Sequence, residues 1–188
     1  MMTVGENIQE AVDFMEKGLH ELAFAAACAA IGATIRKAVG KSDLSDGDYQ
    51  QFVKGNWHLI PFMSLPEALP LPLNVPFGLK RIAPRFNVNH GADEIILLII
   101  NQTLMMGKLP SEFAINSKSS FEIKANRCFL PNTLIGGLLG IIIVQPINKD
   151  ETIPDKYWIN IAGFKMFISE LWGRIDLAER IMRFQLED

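Results

Sequence analysis

Apolar residues recur at alternating spacings of four and three near the start of the chain, a pattern that predicts an amphipathic helix. Asn7 and Glu10 have the N-cap and N3 spacing of a capping box, so we expect the helix to begin at Asn7. Gly18 either divides this run into two helices or only bends it, and Gly40 is placed as a stop signal. The apolar stripe consists of Ile8, Val12, Met15, Leu19, Leu22 and Ala26.

Four further helices are predicted downstream. One follows a cap at Ser45 or Asp46 and ends near Pro61. The second covers residues 93–106, and the third covers the run 134–144, whose glycines favour close helix packing. The last covers 163–184, where apolar residues recur at helical spacing. The chain is therefore predicted to be mainly α, a helical bundle of about five helices.

Two other kinds of segment accompany these helices. Alternating runs within 112–130 predict a small β-hairpin, and 157–161 a short strand. Residues 64–90 form a Pro-rich apolar insert, because five prolines forbid a long helix and many apolar residues argue against a solvated linker. We expect a single domain over 1–188 that forms a homodimer through this insert. The predicted interface residues are Leu71, Leu73, Phe77, Ile82 and Phe86.

Composition narrows the possible partners and the compartment. The chain has 188 residues, a net charge of −3 and no strongly basic segment, so composition does not signal a nucleic-acid-binding surface. The two cysteines, Cys28 and Cys128, lack a partner at metal-ligand spacing and are expected to be reduced and buried. The N-terminus lacks the pattern of a signal peptide. We therefore expect a cytoplasmic protein that does not enter a membrane.

Catalytic motifs are scarce. The three histidines are scattered, no spacing of His, Cys, Asp or Glu predicts a metal site, and no glycine-rich phosphate loop is present, so no cofactor or metal is expected. One local pattern could support catalysis. Arg85 could hold a phosphate, and His90 could act as acid or base in metal-free RNA cleavage. The alternative is that Arg85 and His90 lie in an ordinary turn that leads into the next helix.

A group of aromatic residues near the C-terminus has two interpretations. These residues either build the core around the last helix or line a pocket that stacks a base or ring. They are Tyr157, Trp158, Phe164, Phe167 and Trp172.

The order of elements resembles a known family. The stretches LAFAAACAAIGATIRKAVG and DYQQFVKGN are similar to the opening helix pair of HEPN-like domains, the higher eukaryote and prokaryote nucleotide-binding superfamily, and of related uncharacterised bacterial families. NQTLMMGKLP resembles that family's motif helix, with Ile100, Asn101 and Met105 at the places of its Arg, polar residue and His. The resemblance implies a dimeric helical bundle that in active members is a metal-independent ribonuclease of toxin–antitoxin or defence systems. The motif is degenerate here, because Ile and Met carry neither charge nor a transferable proton.

Three functions follow as hypotheses. The first is a non-catalytic helical module that homo-oligomerises and binds a macromolecule, such as RNA or a protein, or a small ligand, with Asn101 lining a vestigial pocket. The second is a ribonuclease that uses Arg85 and His90. The third is an enzyme on a small molecule, with the aromatic C-terminal segment forming its pocket.

Overall fold

A computed structural model describes residues 2–64, 77–78, 89–90, 92–117, 122–124, 127–161 and 163–187. These residues form seven α-helices and several short strands, so the prediction of a mainly α class is confirmed. Most of the predicted insert lies outside the described residues. Within it, Phe77–Gly78 (β1) and Asn89–His90 (β2) pair as short antiparallel strands.

The first apolar run is divided into two antiparallel helices, α1 (Val4–Glu16) and α2 (His20–Val39). Gly18 adopts a left-handed backbone conformation between them, so the division proposed for Gly18 is correct. The predicted start at Asn7 is wrong by one turn. Thr3 and Glu6 form the capping box, and the buried Asn7 side chain instead donates to the Thr3 carbonyl at 2.7 Å.

Helix α2 is the one described helix that is long and apolar enough to cross a membrane by length and composition. Most of its apolar window is buried inside the fold, and a left-handed Gly40 ends it as predicted. Burial of this kind is typical of a core helix. Cys28, in the middle of α2, is free and fully buried, and Cys128 is also free and buried, as predicted.

The helix predicted after Ser45 is divided as well, into α3 (Asp46–Gly55) and α4 (Leu59–Ser64). Ser45 caps α3 in a capping box with Asp48. Asn56 ends α3, and its side-chain amide donates to the Phe52 carbonyl at 2.8 Å while its oxygen accepts a hydrogen bond from Gln145 at 2.7 Å. This polar junction turns the chain so that α4 can pack separately.

Helix α5 (Ala92–Met106) and helix α6 (Thr133–Ile143) agree with their predictions within one residue. Helix α6 is buried along nearly its whole length and packs against both α2 and α4. Its buried aliphatic residues form one continuous core with those of α2 and α5.

The predicted hairpin region contains a three-stranded sheet. Its strands are β3 (Phe113–Asn116), β4 (Glu122–Lys124) and β5 (Arg127–Pro131), in the order β3-β5-β4. Strands β4 and β5 pair antiparallel, whereas β3 runs parallel to β5. In the parallel pair, Phe113 lies opposite Cys128. Strand β5 then leads directly into α6.

The helix predicted over 163–184 is wrong in its first half. Strands β6 (Trp158–Ile161) and β7 (Phe164–Phe167) pair antiparallel, Ile168–Glu170 forms a short 3-10 helix, and the α-helix α7 covers Ile175–Glu187. Strand β6 was predicted. Arg174 precedes α7 and pairs with Asp176 at 3.1 Å.

Candidate functional site

A cavity of about 400 Å³ lies where α1, α4, α6 and β6 meet. Its walls are mainly apolar, and they come from four elements that are far apart in the sequence. Such cavities are the usual location of small-molecule sites. The lining residues are Val12, Met15, Glu16, Met63, Ser64, Asn132, Thr133, Gly136, Trp158, Ile159 and Asn160.

Three glycines of α6 have different surroundings. A Cβ at Gly137 would fall on the Ser64 hydroxyl, and one at Gly140 would lie 2.5 Å from the Met63 sulfur. These two glycines therefore allow α4 to approach α6 closely, as the sequence predicted. Gly136 faces the cavity, and a Cβ added there would meet no atom within 4 Å. Close packing of the described residues thus explains Gly137 and Gly140 but not Gly136.

The polar part of the cavity lies at the amino end of α6. The Thr133 Oγ1 atom is buried and has no hydrogen-bond partner among the described residues. Asn132 precedes it and does not cap the helix with its side chain. The Ser64 hydroxyl already donates to the Ile60 carbonyl at 2.6 Å. A buried hydroxyl without a partner costs about 1–3 kcal/mol, so Thr133 is the polar group in this wall that requires a partner.

The rim of the cavity is more polar and more exposed. Glu16 is exposed at the end of α1 and is the only ionisable group among the described lining residues. The Trp158 side chain is 40% exposed, and the Lys165 Nζ lies 4.2 Å from its ring centroid. This cation–π contact holds the indole in place beside the opening.

A hydrogen bond joins two walls of the cavity. The Tyr157 hydroxyl donates to the Asp13 carboxylate at 2.7 Å, which connects β6 with α1. This bond and burial raise the pKa of Tyr157 above its ordinary value, because a phenolate would lose the donated proton next to a carboxylate. Tyr157 is almost fully buried and Asp13 is half-buried, so the bond is largely shielded from solvent.

The residues of the degenerate motif do not form a site together. Ile100 is fully buried in the core, and Met105 is 85% exposed near the end of α5. Asn101 is half-buried, with an Oδ1 atom that is buried and has no hydrogen-bond partner among the described residues. Asn101 is not among the residues that line the cavity between α1, α4, α6 and β6. A ligand at Asn101 stays a prediction.

The ribonuclease and dimer hypotheses fall on other parts of the chain. Arg85 lies outside the described residues, and of His90 only the backbone, paired with Phe77, is described. Of the predicted interface, Leu71, Leu73, Ile82 and Phe86 also lie outside the described residues, and the Phe77 side chain is not described. Both hypotheses stay predictions.

The aromatic residues near the C-terminus are divided between the core and the surface. Tyr157 and Trp172 are buried, as the core interpretation predicts. That interpretation is wrong for Trp158, Phe164 and Phe167, which are at least 40% exposed because they lie on the β6–β7 hairpin instead of on a helix. Trp158 lines the cavity, which agrees with the alternative interpretation of this group as part of a pocket.

Several lining residues were not singled out from the sequence. Met15 was assigned to the apolar stripe of α1, and Gly136 to helix packing. Among the described residues, no three His, Cys, Asp or Glu side chains lie close enough together to hold a metal ion.

Comparison with known proteins identifies a family but not an activity. A family model described as Rv1289 matches residues 3–187, so the chain belongs to this family. No curated protein and no solved structure matches the chain. The family description names no substrate or ligand, and the resemblance to HEPN-like domains stays a prediction.

Proposed function

We propose that this member of the Rv1289 family is a non-catalytic helical module that binds a small, mostly apolar molecule in the cavity between α1, α4, α6 and β6. The observation that carries the proposal is the unfilled space over Gly136. A glycine inside a helix costs about 1 kcal/mol relative to alanine. Since an alanine would meet nothing within 4 Å, a ligand in the cavity gives the missing steric reason for a glycine.

The described lining residues favour binding over catalysis. General acid–base chemistry requires a positioned titratable group close to the reacting atoms. Among these lining residues only Glu16 is ionisable, and it is exposed to solvent at the rim. The buried part of the wall consists of apolar side chains, hydroxyls and an amide, which hold and orient a molecule but do not transfer protons at neutral pH.

The proposal includes the cytoplasmic location and the homodimer expected from the sequence. The free, buried thiols of Cys28 and Cys128 support a reducing compartment. The apolar, Pro-rich composition of residues 64–90 supports self-association. Static light scattering measures the second point, and a monomer at high protein concentration would contradict it.

The test of ligand binding uses diphenylhexatriene, a hydrocarbon probe that fluoresces when it leaves water. Wild-type protein is expected to bind the probe at the stoichiometry of one site per chain. Gly136→Leu places a side chain in the cavity and is expected to abolish this uptake. Gly136→Ala is the graded comparison: its methyl group meets no atom within 4 Å but takes part of the space of the ligand, so it is expected to weaken uptake less than Gly136→Leu does.

Two results would contradict the proposal. The first is wild-type protein that does not bind the probe, or a Gly136→Leu variant that binds it equally well while its circular dichroism melt shows a folded state. The second is a Gly136→Leu variant whose molar mass, measured by light scattering, shows a changed oligomeric state while its probe uptake stays intact. That result would assign the cavity to a contact between copies of the chain.

A further inference from the structure

The charge and hydrogen-bonding groups of the cavity wall restrict the kind of molecule that it accepts. Resting on the function proposed above, we infer that the ligand is an uncharged amphipathic molecule. Its hydrocarbon part occupies the apolar cavity, and a hydroxyl or carbonyl oxygen accepts a hydrogen bond from the Thr133 Oγ1 atom. Long-chain alcohols, esters and amides have this chemistry.

Thr133 supplies the fixed polar contact. Thr133 is one of the lining residues, and its Oγ1 atom is buried and has no partner among the described residues. The neighbouring Ser64 hydroxyl is different, because its proton is already given to the Ile60 carbonyl at 2.6 Å. A hydroxyl with a free proton at the edge of an apolar cavity is best satisfied by an acceptor atom of the ligand.

The amino end of α6 favours an acceptor at the same place. Helix α6 begins at Thr133, and its N-cap residue Asn132 makes no side-chain hydrogen bond to the first turn. Backbone N–H groups in the first turn of a helix lack partners within the helix and carry a partial positive charge. An oxygen atom that accepts from Thr133 therefore also lies in a favourable electrostatic environment.

The charge of the wall argues against an ionised ligand. The only ionisable side chain among the described lining residues is the Glu16 carboxylate, which gives an anion no partner. The nearby Lys165 ammonium lies over the Trp158 ring and is not among the lining residues. A buried carboxylate would therefore lose its hydration without gaining a cationic partner from the described wall. Glu16 is exposed, so its attraction for a cation is screened by solvent.

The hydrocarbon part has a surface of matching character. Val12 and Ile159 are buried and rigid, while Met15 and Met63 have flexible thioether side chains that adapt to the shape of a bound chain. Trp158 adds an aromatic face at the opening. None of these five side chains distinguishes one hydrocarbon from another by hydrogen bonding, so the polar end is expected to determine specificity.

Displacement of diphenylhexatriene by three probes of equal chain length tests the inference. The probes are 1-decanol, decanoic acid and decylamine, at neutral pH and below the concentrations at which they aggregate. Decanol is expected to displace the hydrocarbon probe at a concentration at least about tenfold lower than decanoate, because the ionised head group loses its hydration without gaining a charged partner. Decylamine is expected to bind more weakly than decanol for the same reason.

Variants of Thr133 separate the hydrogen bond from the apolar contacts. Thr133→Val keeps the shape and removes the hydroxyl, so it is expected to weaken decanol binding by about threefold to tenfold. Diphenylhexatriene has no polar atom, so its affinity for the same variant measures the effect on the apolar contacts alone. Thr133→Ser retains a hydroxyl and is expected to bind decanol within about twofold of wild type.

The outcomes distinguish this inference from the proposed function. Decanoate or decylamine that binds as tightly as decanol would overturn the assignment of an uncharged ligand. Unchanged decanol binding in a folded Thr133→Val variant would overturn the role of Thr133. In both cases the hydrocarbon probe still binds and Gly136→Leu still abolishes its uptake. If wild-type protein does not bind the hydrocarbon probe, or a folded Gly136→Leu variant still binds it, the result contradicts the proposed function instead.

Discussion

The Tyr157 hydroxyl donates a hydrogen bond to the Asp13 carboxylate across 2.7 Å, although the two residues are 144 positions apart. Asp13 follows Val12 and Tyr157 precedes Trp158, and both of these neighbours line the cavity. The bond therefore fixes the position of β6 against α1, on which the width of the cavity depends.

Removal of the Tyr157 hydroxyl is expected to destabilise the fold. Tyr157→Phe keeps the ring in the core but leaves the half-buried Asp13 carboxylate without this donor. A hydrogen bond to a charged group contributes about 1.5–3 kcal/mol, so the free energy of unfolding in urea is expected to fall by this amount. Asp13→Asn is the control, because the amide oxygen still accepts the bond. Equal stability of wild type and Tyr157→Phe would show that the bond contributes nothing.

The contribution of the same bond is expected to depend on alkaline pH. The folded protein raises the pKa of Tyr157 above its ordinary value of 10.0, with the bond to Asp13 as the main cause. A raised pKa stabilises the fold fully below the unfolded pKa, and this stability is lost as the pH rises through the folded pKa. The stability difference between wild type and Tyr157→Phe is therefore expected to be constant up to about pH 9 and to shrink above pH 10.

Urea titrations of both proteins between neutral pH and pH 11 measure this difference. Burial also raises the pKa of Tyr49 and, to about 11, that of Cys128, so both proteins lose stability in strong alkali. These contributions are common to the pair and cancel in the difference. A stability difference between wild type and Tyr157→Phe that grows as the pH rises above 10 would contradict the prediction.

Two adjacent glycines of α6 are expected to respond to alanine in opposite directions. Gly137→Ala puts a Cβ onto the Ser64 hydroxyl, and overpacking of this kind costs about 1–3 kcal/mol. Gly136→Ala meets no atom within 4 Å and removes the helix penalty of glycine, so a gain of up to about 1 kcal/mol is expected. Thermal or urea unfolding of the two variants measures both effects. Two variants with the same sign would contradict the different surroundings of the two glycines.

Removal of the Thr34 hydroxyl, which accepts a hydrogen bond from the buried Asn148 side chain, is expected to lower the free energy of unfolding. The Asn148 amide nitrogen donates to the Thr34 hydroxyl at 3.0 Å and to the Ile142 carbonyl at 2.8 Å, and so connects α2 to the end of α6. Thr34→Val removes one acceptor and is expected to cost about 1–3 kcal/mol of unfolding free energy. Thr34→Ser keeps the hydroxyl and serves as the control. Similar losses in both variants would attribute the effect to packing.

Some elements were predictable because their signals are local. The apolar runs 93–106 and 134–144 and the helix stop at Gly40 depend on neighbouring residues, and these features were located within one or two positions. The cap of α1 was predicted at the wrong pair, because Thr3–Glu6 and Asn7–Glu10 have identical spacing. The structure uses the first pair, and the Gly5 N–H of the resulting first turn donates to the Glu151 carboxylate at 3.0 Å.

The β6–β7 hairpin shows why local patterns fail. Residues from Phe164 onward have apolar spacings that fit a helix, but Phe164–Phe167 pairs with Trp158–Ile161 in an antiparallel register. Ile159 and Ile161 bury one face of that pair, and this gain depends on distant core residues. Spacing alone therefore could not exclude the helix.

The sequence by itself determined which segments are buried and where most helices end, because apolar periodicity and the conformations of glycine act within a few residues. Only the tertiary structure decided that Met15, Thr133, Gly136 and Trp158 share one cavity. Their meeting depends on how closely α4 approaches α6 and on the hydrogen bond between Tyr157 and Asp13. Such distances result from the simultaneous packing of distant elements, for which no short stretch of sequence carries a signal.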